Sequence, residues 1–429
     1  NTEANRSIQT GDLYFAQGEI LKTADGGQSI AYILKDSTGK GITHQFTLHP
    51  GNYMVDWNIE FTEPGALLTQ NNLNLLWQNE VIQHEKDIVT EKRETQIGFW
   101  IKDDYDYFTL GRSYDHQFEA PLKWLSVKQK FFNTTIIAKN NFNSGSISCT
   151  ENHDTTGIIT AATSNLKIVV PAGNTATIPL QIYYGPNDYK ILKSYDLGMQ
   201  EVINLGQGPY AFVKYINKWL VMPVFDFIKK FAGSYGLVIA LLTIFIRVLT
   251  SPLLYKSYLS GAKMKALRPE LDILKAKFKD DQQGYAMEQM KVFRSAGVNP
   301  LGGCMPALLQ IPIFFSLYSF FNSAIALRGE SFWWATDLSS YDSILTFGFN
   351  IPFYGNHISL FTLLATGTSL LISIYGMSQT PTQDNPMMKY MPYIFPIMLL
   401  GIFNSLPSAL TWYYTVSNLI TLALQYVIQ

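Results

Sequence analysis

Apolar and polar side chains alternate with a period of two through much of the first half of the chain. Tyr53, Val55, Trp57, Ile59 and Phe61 interleave with Asn52, Met54, Asp56, Asn58 and Glu60. Successive side chains of a strand point to opposite faces, so this run predicts a strand with one wet face. Ile178, Leu180, Ile182 and Tyr184 repeat the pattern after a Pro171-Ala172-Gly173-Asn174 turn. Shorter runs (Ile30 to Leu34, Ile97 to Ile101, Thr134 to Ala138) sit between Gly, Asn and Asp clusters. Residues 1–200 are read as one all-β domain, a sandwich or a large twisted sheet, without a repeat period.

The texture changes near residue 210. Residues 210–231 mix large apolar side chains with Lys214, Lys218, Lys229 and Lys230. This stretch is too charged to cross a bilayer and predicts an amphipathic helix lying in the membrane interface. Within 232–256, residues 235–255 carry a single charge, enough apolar length for a helix to cross a ~30 Å hydrocarbon core. Four further spans are expected within 299–429, at about 300–325, 357–378, 388–405 and 408–428. The last two meet at Leu406-Pro407-Ser408 and read as a membrane hairpin. The fold expected is thus an all-β N-terminal domain followed by a five-span α-helical bundle.

Between the first two spans lies a polar segment, 257–298. Leu271, Leu274 and Phe278, then Tyr285, Met290 and Phe293, recur at helical spacing on either side of Asp280-Asp281-Gln282-Gln283-Gly284. That predicts a helical hairpin, with Gly297 closing its second arm. Its eight basic and five acidic side chains leave +3, whereas Arg328, Glu330, Asp337 and Asp342 leave the 326–356 loop at −2. The positive-inside rule puts the first loop in the cytosol and the second outside. The β domain is then extracytoplasmic, and an exported domain calls for a signal or anchor upstream of Asn1.

Composition supports this division. Only 15% of the 429 residues are charged, against about 25% in soluble proteins, and the mean hydropathy of +0.04 averages a polar part with an apolar one. A hydrophobic content of 47% excludes disorder. A net charge of −1 argues against nucleic-acid binding driven by global charge. Cys149 and Cys304 are too few for a disulfide scaffold or a cysteine zinc site.

One charge is out of place. Arg247 lies two residues from Phe245, the midpoint of 235–255. The cytosolic end near Lys256 is nine residues away, about 13 Å along a helix, too far for the side chain to snorkel. Charge at that depth costs several kcal/mol by scales that disagree widely. The other four spans contain no Asp or Glu. The partners left are carbonyls, hydroxyls and water, from Thr243, Thr250 and Ser251 on its own helix. Gln310, Ser316, Ser319, Asn322, Thr366, Ser369, Tyr414, Ser417 and Asn418 could add lining from the others. The arginine either ties helices together through carbonyls or lines a wet cavity that meets an acidic group from outside the chain. The lack of acidic residues at depth weighs against a proton relay or ion-coupled pump. No GxxxxGK[ST] loop marks a nucleotide motor.

The C-terminal half resembles a known family. Asn299-Pro300-Leu301-Gly302-Gly303-Cys304, Pro306, Gln310, Pro312-Ile313-Phe314 and Leu317-Tyr318 are similar to the third-span signature of the YidC membrane protein insertases. Arg247 with Thr243 resembles that family's groove arginine and its threonine neighbour. Leu406-Pro407-Ser408-Ala409-Leu410 with Tyr413-Tyr414-Thr415-Val416-Ser417-Asn418 resembles its final loop and span, and Tyr414 matches a groove tyrosine. Asp384, Asn385 and Pro386 sit where the family has its second cytosolic loop. Trp124, Gln129, Phe131 and Phe132 before Thr134 are more weakly similar to the family's periplasmic domain.

The resemblance implies a β-supersandwich periplasmic domain over 1–209 and a non-enzymatic insertase of the bacterial inner membrane. Such a protein takes nascent membrane proteins into a hydrophilic, positively charged groove and releases their apolar segments sideways into lipid. It acts alone or beside the Sec translocon, works with ribosomes, and hydrolyses no nucleotide. It implies groove residues Arg247, Thr243, Tyr414, Gln310 and Ser417, and a recruiting cytoplasmic hairpin carrying Lys263, Met264, Lys265, Arg268 and Met290. No cofactor, metal, small-molecule substrate or nucleic acid beyond the ribosome is implied. The family's Gram-negative members begin with a further span and end in a basic tail, neither of which lies within residues 1–429.

Other features read blandly. Asp103, Asp104 and Asp106 lack Ca²⁺-loop spacing and predict a solvated turn. His44, His49, His84, His116, His153 and His357 are scattered, and Glu60 and Asp56 fall on the polar face of one strand. Trp57, Trp77, Trp100 and Trp124 suit core packing better than a ligand cleft. Met287, Met290, Met377, Met387 and Met388 suit either packing or an adaptable apolar surface. A solute transporter remains an alternative, as does an envelope receptor with a sugar-binding β domain, although the receptor leaves Arg247 unexplained.

Overall fold

A computed structural model describes residues 8–110, 113–151, 156–278, 281–297, 305–377 and 386–428. The chain divides into two compact units, Asn1–Ile203 and Asn204–Gln429.

The first unit is built from antiparallel sheets of ten and four strands. In the larger sheet, Met54–Thr62 pairs with Thr175–Pro186, which pairs in turn with Phe132–Phe142, then Leu122–Lys128, then Gln96–Ile101. The alternation read from the sequence sets this register: Ile59 stands opposite Ile178, and Ile182 opposite Ile136. Side chains from one face join those of the four-stranded sheet in a shared core that contains Ile97, Leu122, Leu125, Ile136, Phe142, Leu166 and Leu180. The all-β reading therefore holds as two packed sheets.

Two strands depart from their predicted faces. At the start of Met54–Thr62, Met54 is buried and Tyr53 is 44% exposed, the reverse of the reading. Tyr183, not Tyr184, is buried at the end of Thr175–Pro186, and Tyr184 is 54% exposed. The pairing is regular there, so no bulge causes the change. The cause is that chain from Tyr189 to Val202 covers the second face of the sheet, burying Leu192, Met199 and Val202. Tyr183 packs edge-on against Tyr195, and Trp124 donates from Nε1 to the Leu197 carbonyl at 2.9 Å. A strand covered on both faces loses its simple alternation.

Two buried charges in this unit, Lys128 and Glu91, are held by hydrogen bonds. Lys128 donates to the Glu94 carbonyl at 2.7 Å, and burial pushes its pKa down. Glu91 accepts from the backbone N–H groups of His84 and Glu85 at 2.9 Å each, and burial pushes its pKa up. Cys149 is buried and its thiol is pushed up to about 12, an unreactive state. Lys102 and Asp103 form a two-residue turn with positive φ between strands, while Asp104 and Asp106 lie exposed on the strand that follows rather than in the turn.

The second unit is helical. Helix runs from Val213 to Lys229, widening to a π-turn at Asn217–Val221 just ahead of Pro223. Proline has no N–H to give to the preceding turn, which accounts for the widening there. Asn217, fully buried, fixes this segment: its Nδ2 donates to the Leu205 carbonyl at 2.7 Å and its Oδ1 accepts from Ser316 at 2.6 Å. Tyr215, Trp219, Phe227 and Phe231 remain more than 60% exposed beside the lysines.

The predicted apolar stretches all form helices: Tyr235–Ala266, Met305–Ser323, Leu360–Met377, Pro386–Asn404 and Ser408–Ile428. Only Tyr235–Lys256 reaches membrane-spanning length and hydropathy among the described residues. The apolar parts of the next three are shorter, Leu308–Ser323, Leu360–Gly376 and Pro392–Asn404. The 21-residue Ser408–Ile428 helix has the length, but Thr411, Thr415, Ser417, Asn418, Thr421 and Gln425 dilute it. Ile239, Leu242, Leu317, Phe321, Phe361, Ala409 and Leu410 form the fully buried core.

The polar segment folds as the predicted hairpin, Arg268–Phe278 and Gln282–Ser295, joined through buried Leu271 and Phe293. Asp281 caps its second arm by accepting from Gly284 N–H at 2.9 Å, and Gly297 ends that arm with φ 61°.

Candidate functional site

Arg247 sits midway along the Tyr235–Ala266 helix, half-buried, and reaches the Ser408–Ile428 helix. Its Nε donates to Ser417 Oγ at 2.7 Å, and its Nη2 donates to the same oxygen. One hydroxyl thus receives two of five guanidinium N–H donors. Among the described residues no carboxylate forms an ion pair with Arg247. Tyr413, one turn before Ser417, adjoins both Ser417 and the guanidinium.

Tyr414 packs between Phe314 and Phe403, with ring centroids 5.9 and 5.0 Å away. Gln310 of the Met305–Ser323 helix neighbours it. Neither the buried Tyr414 hydroxyl nor Gln310 Nε2 finds a protein partner of hydrogen-bond geometry, and the same holds for Gln425 Oε1. Buried polar atoms are nearly always satisfied by protein or by water; Tyr414 and Gln310 stand close enough to satisfy each other, which leaves Gln425 Oε1 as a place suited to water. The structure brings four of the five predicted groove residues (Arg247, Ser417, Tyr414 and Gln310) to the facing sides of three helices.

Thr243 differs. It is fully buried, and its hydroxyl donates to the Ile239 carbonyl of its own helix at 2.7 Å. A hydroxyl with a carbonyl four residues back on offer takes it in the absence of another acceptor. Thr250, Ser251 and Thr366 bond their own helices in the same way. Asn418 instead joins two helices, donating to the Ala365 carbonyl at 3.0 Å and to Thr368 and Ser369 at 3.1 Å. Of the residues expected on the hairpin, Lys263 lies near the end of the Tyr235–Ala266 helix and Met290 on the second hairpin arm, both exposed, while the Met264, Lys265 and Arg268 side chains lie outside the described residues.

A second polar cluster closes the opposite end of the bundle and was not read from the sequence. Asp342, buried, accepts from Trp334 Nε1 at 2.8 Å, from the Ser359 hydroxyl, and from the N–H groups of Leu360 and Phe361 at 2.8 and 3.1 Å. It thereby caps the Leu360–Met377 helix, where a carboxylate is favoured by the free N–H groups and the dipole. Asn404 accepts from Ser359 N–H at 3.1 Å and donates to the Tyr354 and His357 carbonyls at 2.8 Å each. The N–H and hydroxyl of Ser408 both donate to the Ser340 carbonyl at 2.7 Å. Phe332, Trp333, Trp334, Phe361 and Trp412 fill the space beside these bonds. Gly236 is required there, because a Cβ would stand 2.1 Å from the Phe332 ring.

The family model for the 60Kd inner membrane protein matches residues 227–429, and that for the YidC periplasmic domain matches residues 1–222. The membrane protein insertase YidC of Amoebophilus asiaticus is 37% identical over 447 residues, covering 100% of this chain and 72% of that protein. Its counterpart in Cytophaga hutchinsonii is 39% identical over 433 residues, covering 97% and 69%. A YidC insertase crystal structure with its first transmembrane domain resolved aligns over 97% of this chain and 84% of that one, at 20% identity and a TM-score of 0.41. Matched by one family model on each side of residue 222 and by these relatives across nearly its whole length, the chain belongs to the YidC family of membrane protein insertases.

Proposed function

We propose that this protein inserts nascent membrane proteins into the bacterial inner membrane through a wet, positively charged groove centred on Arg247. Five helices cross the bilayer, the β unit lies in the periplasm, and the cytoplasmic hairpin receives substrates from ribosomes, alone or beside the Sec translocon. The observation that carries the reading is the Arg247–Ser417 pair: a guanidinium at mid-span held by one hydroxyl, with three N–H donors to spare and no acidic partner among the described residues.

The physical case follows from the cost of moving a polar tail across hydrocarbon, where unsatisfied backbone groups cost several kcal/mol each. A groove hydrated to half depth shortens the dry path. The spare N–H donors of Arg247 attract and bond an acidic tail there. Transfer of the substrate's apolar helix into lipid then drives release without nucleotide hydrolysis. The closed cluster around Asp342 suits a groove that opens toward the cytosol only.

The reading is tested by reconstituting pure protein into protein-free liposomes with a short single-span substrate. Insertion well above the spontaneous rate is expected; insertion at the spontaneous rate would sink the proposal.

A further inference from the structure

One element of the helical unit takes no part in the groove. Leu345–Ile351 and Gly355–Ile358 form a two-stranded hairpin in the loop before the Leu360–Met377 helix. Its turn lies on the last turns of the Pro386–Asn404 helix. Asn404 Nδ2 donates to the Tyr354 carbonyl at 2.8 Å. Gly401 leaves room for the Phe353 carbonyl, which a Cβ at that position would meet at 2.5 Å. Gly401 is three residues from the helix end, roughly 4.5 Å along the axis. The turn therefore reaches back along the helix rather than standing clear of it.

The surface it joins is apolar and open. Ile397 and Ile394 lie one and two turns below Gly401 on the same face, 68% and 56% exposed. The hairpin extends that stripe: Phe353 is 100% exposed, Phe349 67% and Leu345 53%. No Asp, Glu, Lys or Arg occurs from Ser343 to Ser359. Phe353 also has φ 65°, a left-handed conformation that side-chain residues adopt at a cost. The backbone thus holds a phenylalanine at the tip, where water would penalise it.

We propose that this hairpin sets its aromatic turn into the outer leaflet, at the boundary of headgroups and acyl chains, with lipid as its occupant. Continuity with the Ile394–Ile397 stripe favours lipid over a partner protein, and the charge-free sequence offers no ionic group to fix a protein partner's register. An aromatic anchor there would hold the outer loop, and the cap on the bundle, at a fixed depth. The inference rests on the reading that these helices cross the membrane with this loop outside.

The test uses the full chain with Cys149 and Cys304 replaced by alanine, reconstituted alone in phosphatidylethanolamine–phosphatidylglycerol vesicles. An environment-sensitive fluorophore is placed at Phe353→Cys, with Phe349→Cys as a second site should the first variant fail to fold. Ile397→Cys serves as the in-membrane reference, and Thr38→Cys, on an exposed turn of the β unit, as the aqueous one. Lipid-borne nitroxide near the headgroup should quench the hairpin label at least twofold, and aqueous iodide should quench it less than the Thr38 label. Gly401→Val should displace the turn and abolish the lipid quenching at 353 without altering it at 397. Quenching by iodide as at Thr38, with none by lipid while Ile397 responds to lipid, would overturn the hairpin proposal alone. No lipid response at Ile397 either would overturn the membrane reading beneath it.

Discussion

Arg247→Ala should reduce insertion of substrates with an acidic translocated tail by about tenfold or more, and of matched neutral-tailed substrates far less. A hydrogen bond to a charged group contributes about 1.5–3 kcal/mol, and 1.4 kcal/mol is about tenfold in an equilibrium. Ser417 engages only Nε and one Nη2 donor, so the arginine has capacity for an arriving carboxylate without breaking its tie to the neighbouring helix. Arg247→Lys keeps charge but loses the planar fork, while Arg247→Gln keeps hydrogen bonding without charge. If attraction matters, lysine retains the preference for acidic tails and glutamine loses it. If hydration alone matters, the two behave alike. The readout is protease protection of paired substrates that differ only in tail charge, and equal insertion of both tails by Arg247→Ala would refute the attraction.

Asp342→Ala should be the most destabilising single change in the helical unit, by about 3 kcal/mol or more. Removing one partner from a buried charged network leaves its other members unsatisfied, at about 3–5 kcal/mol. Here four donors lose their acceptor at once: Trp334 Nε1, the Ser359 hydroxyl, and the Leu360 and Phe361 N–H groups. Asp342→Asn should fall between, because one amide oxygen replaces two carboxylate oxygens. Thermal unfolding in detergent, followed by tryptophan fluorescence, measures both. Unchanged transitions in the alanine variant would mean that the aromatic packing around Trp412 closes this end by itself.

How far the sequence discloses the fold depends on how many faces each element covers. The alternation is readable at Ile59 and Phe61, which are buried while Glu60 between them stays wet. The Tyr183–Tyr184 inversion is not, because the cover comes from residues 189–202, which no local period announces. The Leu345–Ile358 hairpin had a signal: Leu345, Phe347, Phe349 and Ile351 alternate with Thr346, Gly348 and Asn350 and stop at Pro352. It is easily passed over between two apolar helices.

The site shows the same division. Arg247 stands out as the one charge in the 235–255 stretch, but its partner does not, since Ser417 is one of many hydroxyls in the bundle. Thr243 shares a face with Arg247 by helical spacing, yet its hydroxyl turns back to the Ile239 carbonyl of its own helix. Tyr413 lies beside the guanidinium although Tyr414 carries the family likeness. The Asp342 cluster joins residues from three separate segments, so only the folded chain displays it.

The most direct test of the groove is the sidedness of water at its wall. Gln310→Cys, in a chain with Cys149 and Cys304 replaced by alanine, is treated with a membrane-impermeant thiol reagent from either side of the membrane. A groove open to the cytosol and shut by the Asp342 cluster gives labelling from the cytosolic side only. Labelling from neither side would mean a dry interior, and equal labelling from both a through-channel; either result would contradict an insertase groove at Arg247.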